Sequence, residues 1–395
     1  MTPVTDPVVI VGAARTPMGG LLGELKDIAA PRLGAEAIQA AIGRSGLDGA
    51  LVDEVLMGCV LPAGLGQAPA RQAALGAGLP YGAACTTLNK MCGSGMYAIM
   101  AAHDALLAGR ARIVVAGGME SMSNAPYLLE RARGGYRLGH GRVLDHMFLD
   151  GLEDAYDKGR LMGTFAEDCA ADYGFTREAQ DDYATASLTR ARKAIADGTF
   201  AAEIVPVPVK GGQVVEHDEQ PPKARLDRLR TLKPAFRENG TVTAANSSSI
   251  SDGAAALVLT RRSQAGKLGL PVRAQIAGHA MYAGKPALFP TAPIGAMKKL
   301  FERTGWSARD TGLFEINEAF AVVPMAAMRD LDLPGERVNV HGGACALGHP
   351  LGASGARIVV TLLAALEKYG LERGVASLCI GGGEATAIAI ERVRA

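Results

Sequence analysis

Apolar segments with a period of two, or of about 3.6 residues, alternate along most of this chain. Residues 8–11, 113–116 and 313–316 are short apolar runs that predict buried strands. The stretch 96–107 instead places apolar side chains at helical spacing, and Gly109 follows it as a typical residue after a helix. Strands that alternate with helices predict an α/β protein in which helices cover buried parallel strands.

The end of the chain repeats a pattern found earlier. A turn of small residues, an apolar helix, an apolar strand and a run of glycines occur in this order at 93–118 and again at 352–383. Duplication of one α/β unit explains the repeat most economically, and chance similarity of two ordinary units is the alternative. Duplication would place Cys92 and Cys379 at equivalent ends of the two copies.

The region 120–246 has a different character. It is rich in charged residues, and 177–196 predicts a polar helix. The stretch is too long to be one loop, so it predicts an insertion between two strands of the first unit. The expected domains are an N-terminal core at 1–119 plus 251–272, an inserted loop domain at 120–250, and a C-terminal core at 273–395.

Composition excludes several classes of function. The chain has 395 residues, 48% of them apolar, 21% charged, and a net charge of +1. A near-zero net charge gives no basic footprint for nucleic acid or for an anionic membrane surface. The six cysteines form no CxxC pair, which predicts free thiols in a reducing compartment and no metal site. Without a signal peptide or a long apolar run, a cytoplasmic location is expected.

Two cysteines and one histidine lie beside glycines. Cys92 comes at the start of a predicted helix, where backbone N–H groups and the helix dipole favour a thiolate. His349 lies in a loop with several glycines, which suits acid/base chemistry, and Cys379 ends a strand at a glycine turn, where N–H groups can form an oxyanion hole. Taken singly, each cysteine fits an inert core residue as well, and the histidine fits a structural role.

A fourth candidate is Asn317, which follows the strand 313–316. Its amide can hold a water or a carbonyl oxygen, although an Asn-Glu pair before a helix is equally typical of a cap. The glycine runs are not a nucleotide motif, because Gly12 lacks the further glycines of a dinucleotide turn and no phosphate-loop lysine follows.

Five motifs in this order resemble the thiolase family, which comprises acetyl-CoA acetyltransferases and 3-ketoacyl-CoA thiolases. They are Asn89–Gly95, Gly117–Ser123, Asn317–Ala321, Gly342–Gly355 and Cys379–Gly383. The resemblance covers nearly the whole chain. It implies an α/β fold with duplicated core domains, each a five-stranded mixed sheet, in a layered α-β-α-β-α arrangement with an inserted loop domain that binds coenzyme A and supports oligomerisation. It also implies a homotetramer built as a dimer of dimers.

The resemblance also implies a role for each candidate. Cys92 would be the nucleophile that takes the acyl group, and His349 would accept its proton and then polarise a thioester oxygen. Cys379 would be the base that removes the α-proton of acetyl-CoA. Asn317 would hold a water that forms one oxyanion hole with His349. The N–H groups of Cys92 and Gly381 would form the other.

The implied reaction is the reversible condensation of two acetyl-CoA molecules to acetoacetyl-CoA and CoA, or the thiolysis of a 3-ketoacyl-CoA. A longer-chain thiolase of fatty-acid β-oxidation is the alternative within the family. Coenzyme A is then a substrate or product, and no cofactor is expected. A decarboxylating ketoacyl synthase uses one cysteine with two histidines, and Cys379 stands here at the position of the second histidine. A thiolase-like protein that only binds acyl-CoA or lipid could lose a catalytic residue, and none is missing here.

Residues for substrate and CoA binding follow from the same resemblance. They are Ser248, Phe236, Met162, Leu161, Phe289 and Phe320. The chain departs from the family at three places. Leu161 stands where histidine is frequent, Pro221 stands where an arginine contacts the adenine end, and Glu384 follows the last glycine run. Lys223 or Arg225 is expected to substitute for the missing arginine.

Overall fold

The computed structural model describes residues 5–393, so the outer limits of the two expected cores, at 1 and 395, lie outside it. The strands of this range are β1 Val8–Arg15, β2 Gly19–Gly20, β3 Glu54–Gly58, β4 Ala84–Leu88, β5 Ile113–Ser121, β6 Tyr127–Leu129, β7 Val143–Asp145, β8 Val207–Pro208, β9 Val214–Val215, β10 Ser251–Arg261, β11 Ala274–Ala283, β12 Leu313–Ile316, β13 Arg373–Ile380 and β14 Glu384–Arg392. The helices are α1 Ala30–Ser45, α2 Pro69–Gly76, α3 Ser94–Leu107, α4 Met162–Tyr173, α5 Arg177–Ala196, α6 Gln220–Lys223, α7 Arg262–Leu268, α8 Ala292–Thr304, α9 Val322–Leu331, α10 Ala344–Leu347 and α11 Leu351–Tyr369.

Two mixed sheets form the body of the protein. The first has the strand order β1-β10-β5-β3-β4, and the second has the order β11-β14-β13-β12. They join where β1 pairs with β11 at Val9–Gln275 and Ile10–Ala274. The first sheet has the five strands expected, and the two-residue strand β2 pairs in addition with β10. In the described part of the second sheet there are four, and the fifth place is marked by an isolated bridge between Phe314 and Val338.

Helices form three layers around the two sheets, which confirms the expected α-β-α-β-α arrangement. Helices α3 and α11 lie between the sheets and share one apolar core with the inner faces of both. Helices α1 and α2 cover the outer face of the first sheet, and α8 and α9 cover the outer face of the second. Helix α11 is buried continuously from Leu351 to Leu366, because it contacts protein on every side.

Glycines allow the two central helices to meet at their N-terminal ends. A Cβ on Gly95 would lie 2.8 Å from the backbone nitrogen of Ala356, and a Cβ on Gly355 would lie 2.4 Å from that of Met96. Side chains at these two positions would force the helices apart, so only glycine permits this contact. The close approach brings the loops that precede α3 and α11 to one place.

The long insertion separates two strands that pair directly. Strand β10 lies antiparallel to β5, although residues 122–250 come between them in the chain. The insertion contains α4 to α6 and two small hairpins, and its polar helix α5 begins and ends where the sequence predicts. A buried ion-pair network fastens it to the core, since Arg15 in β1 contacts Glu203 and Asp218 at 2.7 Å each.

The two halves of the protein match element by element, and this corrects one expectation. By position in the layers, α3 corresponds to α11 and β5 corresponds to β13. Cys92 precedes α3, and the residue that precedes α11 in the same way is His349. Cys379 instead ends β13. The expectation that Cys92 and Cys379 occupy equivalent ends of the repeat is therefore wrong.

Candidate active site

The loop that carries Cys92 is a rigid turn between β4 and α3. Met91 has a left-handed backbone with a φ of 46°, which is strained for a side chain of its size. Ser94 Oγ accepts the N–H of Lys90 at 2.8 Å and donates to the carbonyl of Met91 at 2.6 Å. Cys92 lies just before the first turn of the helix, whose N-cap is Gly93, as the sequence predicts.

His349 is held by its backbone and by one ring nitrogen. Its N–H donates to the carbonyl of Ser249 at 3.1 Å. Its Nδ1 contacts Ser354 Oγ, and that hydroxyl donates its own hydrogen to the carbonyl of Pro350. Nδ1 must therefore carry the proton in this contact, which leaves Nε2 as a proton acceptor. Burial lowers the pKa of His349 to about 3, so the ring is neutral near neutral pH and its Nε2 carries no proton.

Cys379 and Gly381 come to Cys92 from the other half of the protein. The N–H groups of Gly381 and of Cys92 itself both interact with the Cys92 sulfur. Cys379 lies close enough for its charge to interact with that of Cys92. Burial raises the pKa of Cys92 to about 11 and the pKa of Cys379 well above its ordinary value. Both thiols are therefore protonated near neutral pH unless a base or a substrate intervenes.

Asn317 lies beside His349 at the end of β12. Its Nδ2 is 3.5 Å from each ring nitrogen, and its own N–H donates to Ser377 at 3.0 Å. The side-chain oxygen is buried and has no hydrogen-bond partner within residues 5–393. The alternative of a helix cap is wrong, because the next helix, α9, begins only at Val322. A buried amide with one unsatisfied acceptor is suited to hold a small polar group next to the imidazole.

Glu120 is a residue of this site to which the sequence assigned no role. It is buried at the end of β5 and accepts the N–H groups of Val60, Leu61 and Gly352 at 2.8–3.1 Å. Burial raises its pKa to about 7. It is also close enough to Cys92 to raise the pKa of that thiol. A carboxylate at the end of an otherwise apolar strand was the signal in the sequence that could have identified it.

A cavity of about 340 Å³ lies beside these residues and contains five of the six expected binding residues. Leu161, Met162, Phe236, Ser248 and Phe320 line it. A Cβ on Gly381 would lie 3.6 Å from the sulfur of Met162, so the wall of the cavity lies against the turn that follows Cys379.

Phe289 does not line this cavity. It is buried and packs edge-on against Phe165 and Phe320, with ring centroids 6.1 and 6.5 Å away. It contacts the wall of the cavity through Phe320. Its expected part in substrate binding stays a prediction.

A second cavity continues from the first towards the surface. The two share Ala244 and Ser249 in their walls, and Arg225 and Arg228 line the outer one. Of the two cations expected to replace the missing arginine, only Arg225 lines this cavity. Lys223 instead contacts Glu24 and Glu219.

One other cluster has the composition of a metal site. His103, Asp104 and His279 place one ligand atom each within 4.8 Å of one another, the only such group found in residues 5–393. Asp104 Oδ1 lies 3.0 Å from His103 Nδ1 and 2.9 Å from His279 Nε2, so hydrogen bonds account for the arrangement.

The helices within residues 5–393 include none with the length and apolar character of a membrane span.

Comparisons with known proteins agree with this geometry. Residues 8–263 match the thiolase N-terminal domain family and residues 270–392 match the thiolase C-terminal domain family. Acetyl-CoA acetyltransferase 2 of Arabidopsis thaliana is 52% identical, over 97% of this chain and 96% of that protein. The acetyl-CoA acetyltransferase of Pseudomonas aeruginosa is 47% identical, over 98% and 99%.

Solved structures give the same result. The Acat5 thiolase from Ascaris suum in complex with coenzyme A matches with a TM-score of 0.93 and 42% identity, over 98% of this chain and all of that one (100%). The Bacillus anthracis acetyl-CoA acetyltransferase matches with a TM-score of 0.95 and 41% identity, over 98% and 99%. The two family matches together span nearly the whole chain, and the relatives are similar over almost their full length. The chain therefore belongs to the thiolase family.

Proposed function

We propose that this protein is an acetyl-CoA C-acetyltransferase, which condenses two acetyl-CoA molecules to acetoacetyl-CoA and CoA and also catalyses the reverse thiolysis. The observation that carries the proposal is the convergence at Cys92. Its sulfur interacts with the N–H of Gly381, and Cys379 lies within electrostatic reach. Relatives named acetyl-CoA acetyltransferase, 46–52% identical over almost their full length, support the same activity.

In the first half-reaction, Nε2 of His349 accepts the proton of Cys92, and the thiolate attacks the carbonyl carbon of acetyl-CoA. The oxyanion that develops is stabilised by the N–H groups of Cys92 and Gly381, each worth roughly 10²–10³ in rate. The C–S bond to CoA then breaks. The departing CoA thiolate takes the proton of Cys379, which leaves an acetyl group on Cys92 and a thiolate on Cys379.

In the second half-reaction, the Cys379 thiolate removes the α-proton of a second acetyl-CoA. The protonated His349 and a water held by Asn317 stabilise the enolate oxygen. The α-carbon attacks the acetyl carbonyl, a C–C bond forms, and the C–S bond to Cys92 breaks. The Cys92 thiolate recovers its proton from His349. Both cysteines are then restored as thiols, and protons balance over the cycle.

Coenzyme A is proposed to extend from the inner cavity into the outer one. The apolar walls of the inner cavity suit the pantetheine arm, with Ser248 as a polar contact. Arg225 and Arg228, at the outer cavity, suit the phosphates. CoA serves as substrate and product, and no further cofactor is proposed.

A homotetramer is proposed from surface composition as well as from the resemblance. The hairpin β6–β7 and the loop between its strands expose large apolar side chains, for example Tyr127, Leu138 and Val143 at 68, 99 and 60%. Apolar groups this exposed in one region are typical of a protein interface. Light scattering after size-exclusion chromatography tests the proposal, and a monomer would contradict it.

A cytoplasmic location and a place in fatty-acid metabolism stay predictions.

The function is tested with acetoacetyl-CoA thiolysis and with mass spectrometry of the protein after acetyl-CoA is added. The unchanged protein should gain one acetyl group on Cys92. Cys92→Ala should gain none, whereas Cys379→Ala should be acetylated but should not condense. Cys85→Ala, a cysteine on the edge strand β4, is the matched control and should keep full activity. Thiolysis without acetylation of Cys92 would contradict the mechanism.

The alternative, a longer-chain 3-ketoacyl-CoA thiolase, is separated by a series of substrates. Phe289 supports Phe320 at the wall of the inner cavity, which favours short acyl groups. kcat/KM should therefore fall as the 3-ketoacyl chain grows beyond four carbons. A maximum at eight carbons or more would favour the alternative.

A further inference from the structure

The two catalytic loops are joined by an ion pair. Lys90 Nζ, two residues before Cys92, contacts Glu384 Oε2, the first residue of β14 and three positions after Gly381. The two side chains are 21 and 37% exposed, and Lys90 also lies 5.9 Å above the ring of Tyr97. Lys90 belongs to the first half of the protein and Glu384 to the second. The pair therefore spans the boundary at which the active site is assembled.

Each partner is rigidly connected to one N–H donor of the proposed oxyanion hole. On the first side, the carbonyl of Lys90 accepts the N–H of Gly93 at 3.0 Å, and its own N–H donates to Ser94. These bonds close the turn around Cys92. Any displacement of Lys90 is therefore transmitted to the N–H of Cys92.

On the second side, Glu384 pairs with Ile380 in the ladder of β13 and β14, and this closes the turn that contains Gly381. The backbone of that turn is further held where the carbonyl of Gly383 accepts the N–H of Gly284 at 2.9 Å. A displacement of Glu384 is therefore transmitted to the N–H of Gly381.

The two donors thus come from separate halves, and their loops also meet where Gly93 approaches Ile380. The contact between Gly93 and Ile380 is apolar and very close, since a Cβ on Gly93 would lie 2.4 Å from Ile380 Cδ1. An apolar contact of this kind blocks closer approach, and its dispersion attraction falls off within about 1 Å of separation. An ion pair resists separation, because the Coulomb attraction weakens as the charges move apart.

We propose that Lys90 and Glu384 are positioning residues that hold the N–H groups of Cys92 and Gly381 at the separation required to stabilise the oxyanion. The inference rests on the proposed thiolase reaction. It concerns the geometry of the donors and not substrate binding. Loss of the pair therefore acts on kcat and leaves KM for acetoacetyl-CoA nearly unchanged.

The test uses Lys90→Gln, Glu384→Gln, the double variant, and the exchanged pair Lys90→Glu with Glu384→Lys, all assayed by thiolysis. Each single variant should lose about tenfold in kcat, because a displacement of a fraction of an ångström misaligns one donor. The double variant should lose no more than either single variant, since one interaction is removed in all three. The exchanged pair should recover most of the loss.

A control ion pair joins strands β13 and β14 at their other end. Arg373 and Glu391 contact at 2.9 Å at the opposite ends of β13 and β14, with side chains 38 and 28% exposed. Glu391→Gln should leave kcat unchanged. If Lys90→Gln and Glu384→Gln behave like this control, or if the single losses add in the double variant, the proposal is overturned.

Reactivity of Cys92 towards iodoacetamide separates positioning from a general loss of structure. Glu384→Gln leaves an unpaired cation near Cys92 and lowers the pKa of the thiol, whereas Lys90→Gln leaves an anion and raises it. Alkylation should therefore be faster in the first variant and slower in the second, although both lose kcat. Equal slowing in both, with lower melting temperatures, would show a structural role only. If the unchanged protein has no thiolysis activity, the proposed function itself fails.

Discussion

The loops before the two central helices occupy the same place in the two halves but are built differently. The loop before α3 presents Cys92 and holds it with a strained Met91, whose φ is 46°. The loop before α11 presents His349 and relies on Gly348, whose φ is 104° and whose Cβ would lie 2.0 Å from Ser251 Oγ. In the proposed mechanism, one architecture therefore supplies a nucleophile in one half and a base in the other. The comparison teaches that function in this repeat is assigned by position in the fold and not by residue type.

Because of the duplication, the central helices start side by side and their loops face each other. Neither loop holds a complete site alone. In the proposed mechanism Cys92 requires the N–H of Gly381 and the imidazole of His349, and both come from the second half. The four predictions that follow challenge this pairing of the two loops, from the largest expected effect to the smallest.

Replacement of the base should have the largest effect. His349→Ala removes the neutral imidazole that accepts the Cys92 proton, so kcat for thiolysis should fall by roughly 10²–10⁴. His341→Ala is a matched control, because His341 is also buried and its pKa is also lowered, to about 4, while its Nε2 contacts Tyr369. The control should retain most of the activity. Activity of His349→Ala within tenfold of the unchanged protein would mean that the loop before α11 supplies no base.

Glu120 connects the two halves, since it lies in β5 and accepts the N–H of Gly352 in α11. Its pKa is about 7 in the folded protein against an ordinary 4.5, so the folded state binds the proton more tightly. Stability from this group is present below pH 4.5 and is lost as pH rises to about 7. Glu120→Gln cannot titrate. The free energy of unfolding that Glu120→Gln loses relative to the unchanged protein should therefore be smaller at pH 8 than at pH 5, by about 3 kcal/mol.

Urea denaturation at the two pH values measures this difference. Glu120→Asp is the control, because it keeps a titrating carboxyl at the same place and should keep most of the pH dependence. Equal destabilisation by Glu120→Gln at pH 5 and at pH 8 would show that the group does not titrate in this range.

Gly348 should tolerate no side chain. Gly348→Ala places a Cβ against Ser251 Oγ and in a left-handed backbone, which should cost about 1–3 kcal/mol of stability. Displacement of His349 should also lower kcat, by about tenfold to a hundredfold. Gly82→Ala is the control, since nothing lies within 4 Å of a Cβ there. The prediction fails if thermal unfolding and thiolysis kinetics of the two variants are alike.

Met91 should give the smallest effect. Met91→Gly relieves the left-handed strain but loses apolar contacts beside Cys92, so the two contributions oppose each other. Met91→Ala loses the same contacts and keeps the strain, so it should be less stable than Met91→Gly by about 1 kcal/mol. Thermal unfolding of both variants measures the difference. A more stable Met91→Ala would show that no strain is stored before α3.

Much of the fold was predictable because its signals are local. Helix α5 and strand β12 begin and end where the hydrophobic pattern places them, since propensity and periodicity act over a few residues. The resemblance to thiolases brought Cys92, His349, Cys379 and Asn317 together as one site. Hydrophobic pattern alone could not do so, because each of these residues also fits an inert position.

The parts that could not be predicted depend on contacts between segments distant in sequence. Phe289 matches a substrate-binding position of the family, but its packing against Phe320 could not be predicted, because the direction of a side chain within a core follows from the packing of its neighbours. The role of Glu120 depends on N–H groups near residues 60 and 352. The contact of Glu384 with Lys90 likewise joins two loops that are far apart in the sequence.

The sequence by itself determined the class of the fold, the repeat, the insertion between β5 and β10, and the residue types available for thioester chemistry. These depend on periodicity and on local motifs. Only the tertiary structure decided which loops face each other, since glycines at 95 and 355 bring the starts of α3 and α11 into contact. That contact makes His349, and not Cys379, the counterpart of Cys92. The physical reason is that the partners of a buried group are chosen by packing across the whole chain, which no local pattern records.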